Sequence, residues 1–211
     1  MSAFEGFPVG GAGFYAELEE NNTREWWLEH KDAYEELIRQ PMVSLLDELS
    51  GEFGPAKVFR PQRDVRFSRD KSPYKTAQGG FAAAADGIGH YLHLDAEGLM
   101  VGGGFHASTP AQLARLREAV AAPVTGQELV QITEGLQSEG FALGGETLQR
   151  VPRGYPADHP RAELLKYKSL TAGKTLGTPE WLPGAGALDH IKGEWRKLTP
   201  FVEWLRSNLS E

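Results

Sequence analysis

Arginine, lysine, aspartate and tyrosine crowd one short stretch, "RPQRDVRFSRDKSPYKT", Arg60 to Thr76. From Lys57 to Lys75, the seven cations Lys57, Arg60, Arg63, Arg66, Arg69, Lys71 and Lys75 face only Asp64 and Asp70, a surplus of five. A guanidinium captures carboxylate or phosphate through a planar fork, while an ammonium adds charge without that geometry. A second basic stretch, Arg150 to Lys174, holds Arg150, Arg153, Arg161, Lys166, Lys168 and Lys174 against Asp158 and Glu163, a surplus of four. With +5 and +4 taken out, the rest of this chain of net charge −7 carries −16. An acidic body repels a nucleic-acid duplex, but two basic segments that meet would focus a local positive potential.

The chemistry this pattern suits best is the binding of an anionic, phosphorylated small molecule. Its expected ligands are Arg60, Arg63, Arg66, Lys71, Tyr74 and Lys75, joined by Arg153 and Lys168, with Tyr74 and Tyr155 as stacking surfaces. Turnover on such a ligand would be phosphoryl transfer or phosphate-ester hydrolysis, in which arginines stabilise charge on the equatorial oxygens. Asp64 or Asp70 would then act as base or hold magnesium, and His159 would act as acid. Arg24, His30 and Tyr34 on the second helix would line the same pocket. Two other readings compete. A nucleic-acid module would use the same arginines and tyrosines for phosphate contact and base stacking. A structural salt-bridge network would use Asp64 and Asp70 only to orient arginines. The residues leave open whether the protein is an enzyme.

Several familiar chemistries are excluded or weak. The chain has no cysteine, so disulfides, thiolate metal sites and cysteine nucleophiles are absent. "GAGFYA", Gly11 to Ala16, fits a dinucleotide-type glycine pattern but lacks a buried strand before it. "AGKT", Ala172 to Thr175, resembles the tail of a phosphate loop, but Lys168 stands where its first glycine belongs. His90 and His93 are three apart on an expected strand and point to opposite faces, so no metal site is expected there. No G-x-S-x-G elbow occurs.

The elements that must position these residues follow from periodicity. "GAGFYAELEENN" reads as a helix stopped by the asparagine pair. Asn22 or Thr23 caps the next helix, on which Trp27, Tyr34 and Ile38 share a face. Pro41 kinks that helix or begins a new one, which stops at Gly54-Pro55. "AKVFR" reads as a short strand, and the arginine segment itself as a strand with Arg60 and Arg66 on one face and Arg63 and Arg69 on the other. "DKSPYK" reads as a turn. "GHYLHLDAEGLMVGGGFH" is a β-hairpin, with Tyr91 and His93 on one face and Leu92 and Leu94 on the other. Its three glycines, 102 to 104, mark a bulge or a place where another backbone or a ligand comes close. Ser108 or Thr109 caps a helix begun by Pro110; a second helix ends at Gly140; Thr199 and Pro200 open a last short helix. The expected fold is a single α+β domain over 1–211, a mainly antiparallel sheet with helices packed on it.

Here the chain resembles a known family. The pattern R-x-x-R-D-x-R-F-x-x-D-K-x-x-Y is met by Arg60, Arg63, Asp64, Arg66, Phe67, Asp70, Lys71 and Tyr74. It is similar to the signature of an uncharacterised bacterial family, domain of unknown function 2461. "FEGFP", "NNTREWWLEHKDAYE" and "RVPRGYPADHPRAELLKYKSL" extend the likeness over nearly the whole chain. The resemblance implies no activity, substrate or catalytic residue. No apolar run approaches the roughly 20 residues that span a bilayer, and "MSAFEGFPVGG" lacks the basic and apolar regions of a leader. The expectation is a cytoplasmic protein without a membrane partner.

Overall fold

The computed structural model describes residues 3–66, 69–107 and 109–210. Helices α1 (Gly11–Glu20), α2 (Arg24–Tyr34) and α3 (Gln40–Phe53) come first. Strands β1 (Ala56–Val58), β2 (Ala77–Ala85), β3 (Ile88–Asp95) and β4 (Gly98–His106) follow. Then come α4 (Pro110–Ala121), α5 (Pro123–Ser138), β5 (Ala142–Gly144), α6 (Ala162–Leu165), β6 (Ser169–Gly177) and α7 (Ala187–Leu209). The strands form one open antiparallel sheet in the order β1-β2-β3-β4-β6-β5. The fold is α+β.

By compactness the chain divides into two units. The first comprises Met1–Ala82, Tyr91–Val101 and Thr175–Gly193; the second comprises Ala83–His90, Gly102–Lys174 and Glu194–Glu211.

In the first unit, Thr23 accepts the N–H of Trp26 at 3.2 Å and so caps α2. Between α2 and α3 the chain makes a π turn, Glu35–Arg39, and runs on without a break. Pro41 stands in the first turn of α3, where its missing N–H costs least. Trp27, Tyr34, Ile38, Met42, Leu45 and Leu49 build the core of this unit together with Leu92 and Leu94 of β3. Tyr34 donates to Gln78 Oε1 at 2.5 Å; Gln78 in turn donates to the carbonyls of Phe59 (2.7 Å) and Gly79 (2.9 Å). Gly11 and Gly13 sit inside α1, with no strand among the described residues before them, so the dinucleotide reading has no structural basis.

In the second unit, Thr109 and Gln112 form a reciprocal capping box at the start of α4. Ser108, the other cap candidate, lies outside the described residues. The glycine run of β4 admits a neighbouring backbone, as expected. A Cβ on Gly102 would lie 2.8 Å from the carbonyl oxygen of Ala172, and one on Gly104, at φ +150°, 2.4 Å from that of Leu170. That neighbour is β6, and Ala172 to Thr175 belong to this strand rather than to any phosphate loop.

Two expectations about elements are corrected. Thr199 and Pro200 do not open a helix; they lie inside α7, which runs from Ala187 to Leu209. Ile191, Trp195, Leu198, Val202, Leu205 and Leu209 are all at most 1% exposed and repeat at helical spacing across the proline. Burial of that face outweighs the lost backbone bond, and Thr199 turns its hydroxyl back to the carbonyl of Trp195 at 3.1 Å. The arginine segment, in turn, is not a strand. Among its described residues Gln62 and Tyr74 form an isolated bridge, and the other described residues between them belong to no strand.

Candidate functional site

The basic loop of the first unit is pinned at its base. The N–H of Phe59 donates to Gly79 (2.9 Å), that of Lys75 to Pro61 (2.8 Å) and that of Arg63 to Pro73 (2.9 Å). Asn22 accepts the N–H of Tyr74 at 3.1 Å and donates to its carbonyl at 3.0 Å. The Tyr74 ring is 8% exposed and stacks on Trp27, centroids 4.1 Å apart and planes at 10°. Tyr74 therefore anchors the loop to α2, and one face of its ring is already covered.

Local polar contacts explain why the loop is not extended. Asp64 accepts the backbone N–H of Arg66 (3.2 Å) and also its guanidinium, at 2.9 Å from Nε and 2.6 Å from Nη2. Asp70 accepts from the N–H and hydroxyl of Ser72 and from Arg63 Nη1. Lys71 donates to the carbonyl of Val65 at 2.9 Å. Aspartates that bond their own backbone two residues on compete with a strand ladder and win here. The Arg66 fork holds the Asp64 carboxyl below its usual range, and the bonds from Ser72 do the same for Asp70. Asp64 reciprocally raises the Arg66 guanidinium. Phe67 of the signature lies outside the described residues.

Not every cation is answered by an acid. Lys57 and Lys75 both hold their ammonium groups over the ring of Phe59, at 5.7 and 5.6 Å from its centroid. Among the described residues neither has a carboxylate within ion-pair reach, and the same holds for the exposed Arg60 and Arg69. The Phe59 ring lies 6.2 Å from that of Tyr91, with planes at 29°.

Tyr91 opens a row that the sequence reading did not assemble. Its hydroxyl lies 3.2 Å from His93 Nδ1, and His93 Nε2 lies 3.1 Å from Asp95 Oδ2. The period of two in "YLHLD" carries that signal: it places Tyr91, His93 and Asp95 on one face of β3. Burial raises the Tyr91 phenol, and the Asp95 charge adds to it.

The second basic segment belongs to the second unit, and most of it serves the fold. Arg161 donates to the carbonyls of Val120 (2.6 Å), Ala121 (2.8 Å) and Ala122 (3.2 Å), closing the end of α4. Lys166 pairs with Glu163, Lys168 with Glu146 and Lys174 with Glu194. Lys168 also borders a cleft of about 480 Å³ with His106, Glu146 and Ser169. Arg153 is exposed. His159 Nδ1 accepts the N–H of Arg161 at 3.0 Å, just before α6. His159 thus lies in a different unit from Asp64 and Asp70. On α2, His30 stacks on Trp26 at 3.9 Å, and Tyr34 is buried against Gln78. Among the described residues, no three of His, Asp and Glu gather as a metal-ligand set. Nor is any helix long and apolar enough to cross a membrane.

A family model described as a conserved hypothetical protein, domain of unknown function 2461, matches residues 11–204. The chain belongs to that family. The match takes in the basic loop, the Tyr91 row and the second basic segment of this family member. No curated protein and no solved structure matches it.

Proposed function

We propose that this family member binds an anionic small molecule, carrying phosphate or a similar oxyanion, beside Phe59 in its first unit. The observation behind this reading is the pair of ammonium groups, Lys57 and Lys75, drawn over one ring with no carboxylate among the described residues within ion-pair reach. An anion bound beside that ring would be attracted by both charges. Arg60 and Arg69, both exposed, add positive charge along the same loop, and Lys71 adds a third cation, whose ammonium donates to the carbonyl of Val65. Arg63 and Arg66 brace the loop in this reading and meet the ligand only by exchanging their aspartates for it. The setting proposed with it is a bacterial cytoplasm, and the reading is one of binding rather than turnover.

The test is titration calorimetry with inorganic phosphate at low ionic strength. Wild type should bind, and the double variant K57A/K75A should lose at least about tenfold in affinity while staying folded. A wild type that gives no heat and no rise in melting temperature with phosphate ends the proposal.

The salt-bridge reading draws support from the Arg63–Asp70 and Arg66–Asp64 pairs. The side chains of the Arg66 pair are 77% and 45% exposed, and solvent-exposed pairs contribute little to stability. Arg66→Ala should therefore leave the melting temperature nearly unchanged. A large drop would favour a structural role for the cluster.

A further inference from the structure

Strand β3 carries two chemically different faces. His90, Leu92 and Leu94 are at most 3% exposed, whereas Tyr91, His93 and Asp95 on the other face are partly open to solvent. Those three side chains form a continuous hydrogen-bonded row, 3.2 Å from phenol to imidazole and 3.1 Å from imidazole to carboxylate. The other oxygen of Asp95 accepts the N–H of Glu97 at 2.8 Å, which fixes the carboxylate in place.

Donor and acceptor rules set the direction of this row. An ionised carboxylate only accepts, so His93 Nε2 must carry a hydrogen. In the neutral ring Nδ1 then has only its lone pair, so Tyr91 must donate to it. A phenol has one hydrogen to give. An oxyanion arriving at the Tyr91 hydroxyl can receive that hydrogen only if Nδ1 gains a proton of its own and donates back to the phenol oxygen. Asp95 then faces an imidazolium, which it stabilises as an opposite charge.

We propose that Tyr91, His93 and Asp95 form a proton-coupled docking row for an oxyanion: the anion accepts the Tyr91 O–H while His93 takes up one proton from solvent at Nδ1. No covalent bond to the ligand forms or breaks; one proton enters with each anion. The proposal rests on the anion-binding reading above, and it names the ligand class as sulfate- or phosphate-like oxyanions and their esters.

The surroundings fit. Phe59, beneath Lys57 and Lys75, stacks beside Tyr91. Position 79 is glycine; a Cβ there would sit 2.9 Å from the Tyr91 hydroxyl and 3.0 Å from the Phe59 ring, so its absence lets both rings pack over the strand. The raised phenol stays protonated at neutral pH and acts as a donor rather than a competing anion. Tyr91 and Asp95 flank His93 on its own strand; the Tyr15 phenol on α1 feels the Asp95 charge, and Lys57 and Lys75 stand over Phe59.

The experiment is titration calorimetry with sulfate, an anion that does not itself titrate near neutrality. It is run at about pH 7.5, where ordinary imidazoles are mostly neutral, in buffers of different ionisation enthalpy. Wild type should take up close to one proton per sulfate, and its affinity should rise up to about tenfold per unit of falling pH. His93→Gln keeps a side chain of similar reach that cannot be protonated. It should still bind sulfate, within about tenfold, with no proton uptake. Asp95→Asn removes the counter-charge and should cut the uptake well below one, which provides a second reading should the glutamine variant fail to fold. Binding without uptake in wild type, or uptake that persists in His93→Gln, overturns the row and leaves the anion site standing. Absence of sulfate binding in wild type overturns both.

Discussion

Removing one buried oxygen, in Tyr34→Phe, tests how the core of the first unit holds the candidate site. Tyr34 and Gln78 are each 1% exposed, and their 2.5 Å bond is the partner the structure gives Gln78 Oε1. The amide nitrogen of Gln78 bridges the carbonyls of Phe59 and Gly79, so the amide plane is fixed and its oxygen cannot rotate to a new donor. The variant ring keeps its packing against Trp27, 4.7 Å away. The change therefore isolates one stranded buried acceptor, which costs about 1–3 kcal/mol. In a chain of this size each kcal/mol lowers the melting temperature by about 2–4 °C, so a drop of roughly 4–8 °C is expected for the middle of that range. Circular dichroism during heating, with urea denaturation alongside, measures it. Because Gln78 also holds the carbonyl of Phe59, phosphate affinity should fall as well. A variant that melts within about 1 °C of wild type refutes the claim that this bond is dry and irreplaceable.

Three more perturbations probe other parts of the fold. Gly104→Ala forces a Cβ into the backbone of β6 at positive φ; it should cost at least about 2 kcal/mol in a urea titration, and tolerance of alanine would contradict the close approach. Pro200→Ala restores a helical N–H at an exposed position inside α7 and should raise stability by about 1–3 kcal/mol; a lower melting temperature would show that the proline fits its helix without strain. Burial first of all pushes the phenols of Tyr15 and Tyr34 far above the ordinary range, so the folded state keeps protons there that the unfolded chain releases above about pH 10. Stability from these two groups is fully present below that pH and is lost as pH rises beyond it. Ultraviolet titration of phenolate should show both ionising only together with alkaline unfolding; early ionisation with the fold intact would contradict their burial.

Where the chain's local signals agree with its burial, the sequence was legible. The cap at Asn22 or Thr23, the cap just before Pro110, the β3–β4 hairpin and the glycine run of β4 all rest on local stereochemistry, which one sequence contains. The misses have physical causes. "VRF" alternates like a strand, but Asp64, Asp70 and Lys71 bond the loop's own backbone and side chains and leave no ladder to pair with. Pro200 reads as a helix start, yet a buried apolar stripe continues through it. Strand β6 carries little local signal because Gly173 and Lys174 are poor strand formers, and pairing with β5 overrides that preference. Asp86-Gly87, a strong hairpin signal, joins β2 to β3 and stood unread within an alanine-rich run. As for the site, sequence spacing located the charges but not their partners. Which aspartate faces which arginine, and that Lys57 and Lys75 share one ring, depend on how an irregular loop closes.

The π turn at Glu35–Arg39 gives the first unit an unusual tolerance in chain length. Each residue of an α-helix advances the side chains by about 100°. A wide turn absorbs one surplus residue, so that Tyr34, Ile38 and Met42, spaced four apart in succession, all reach the same interior. Deleting one residue of 35–39 would let that turn close to an ordinary α-turn while the helices on either side keep their faces. The same deletion within α2 or α3 would turn either the Trp27 platform beneath Tyr74 or the leucines of α3 toward water, though no side chain in the interior had been altered.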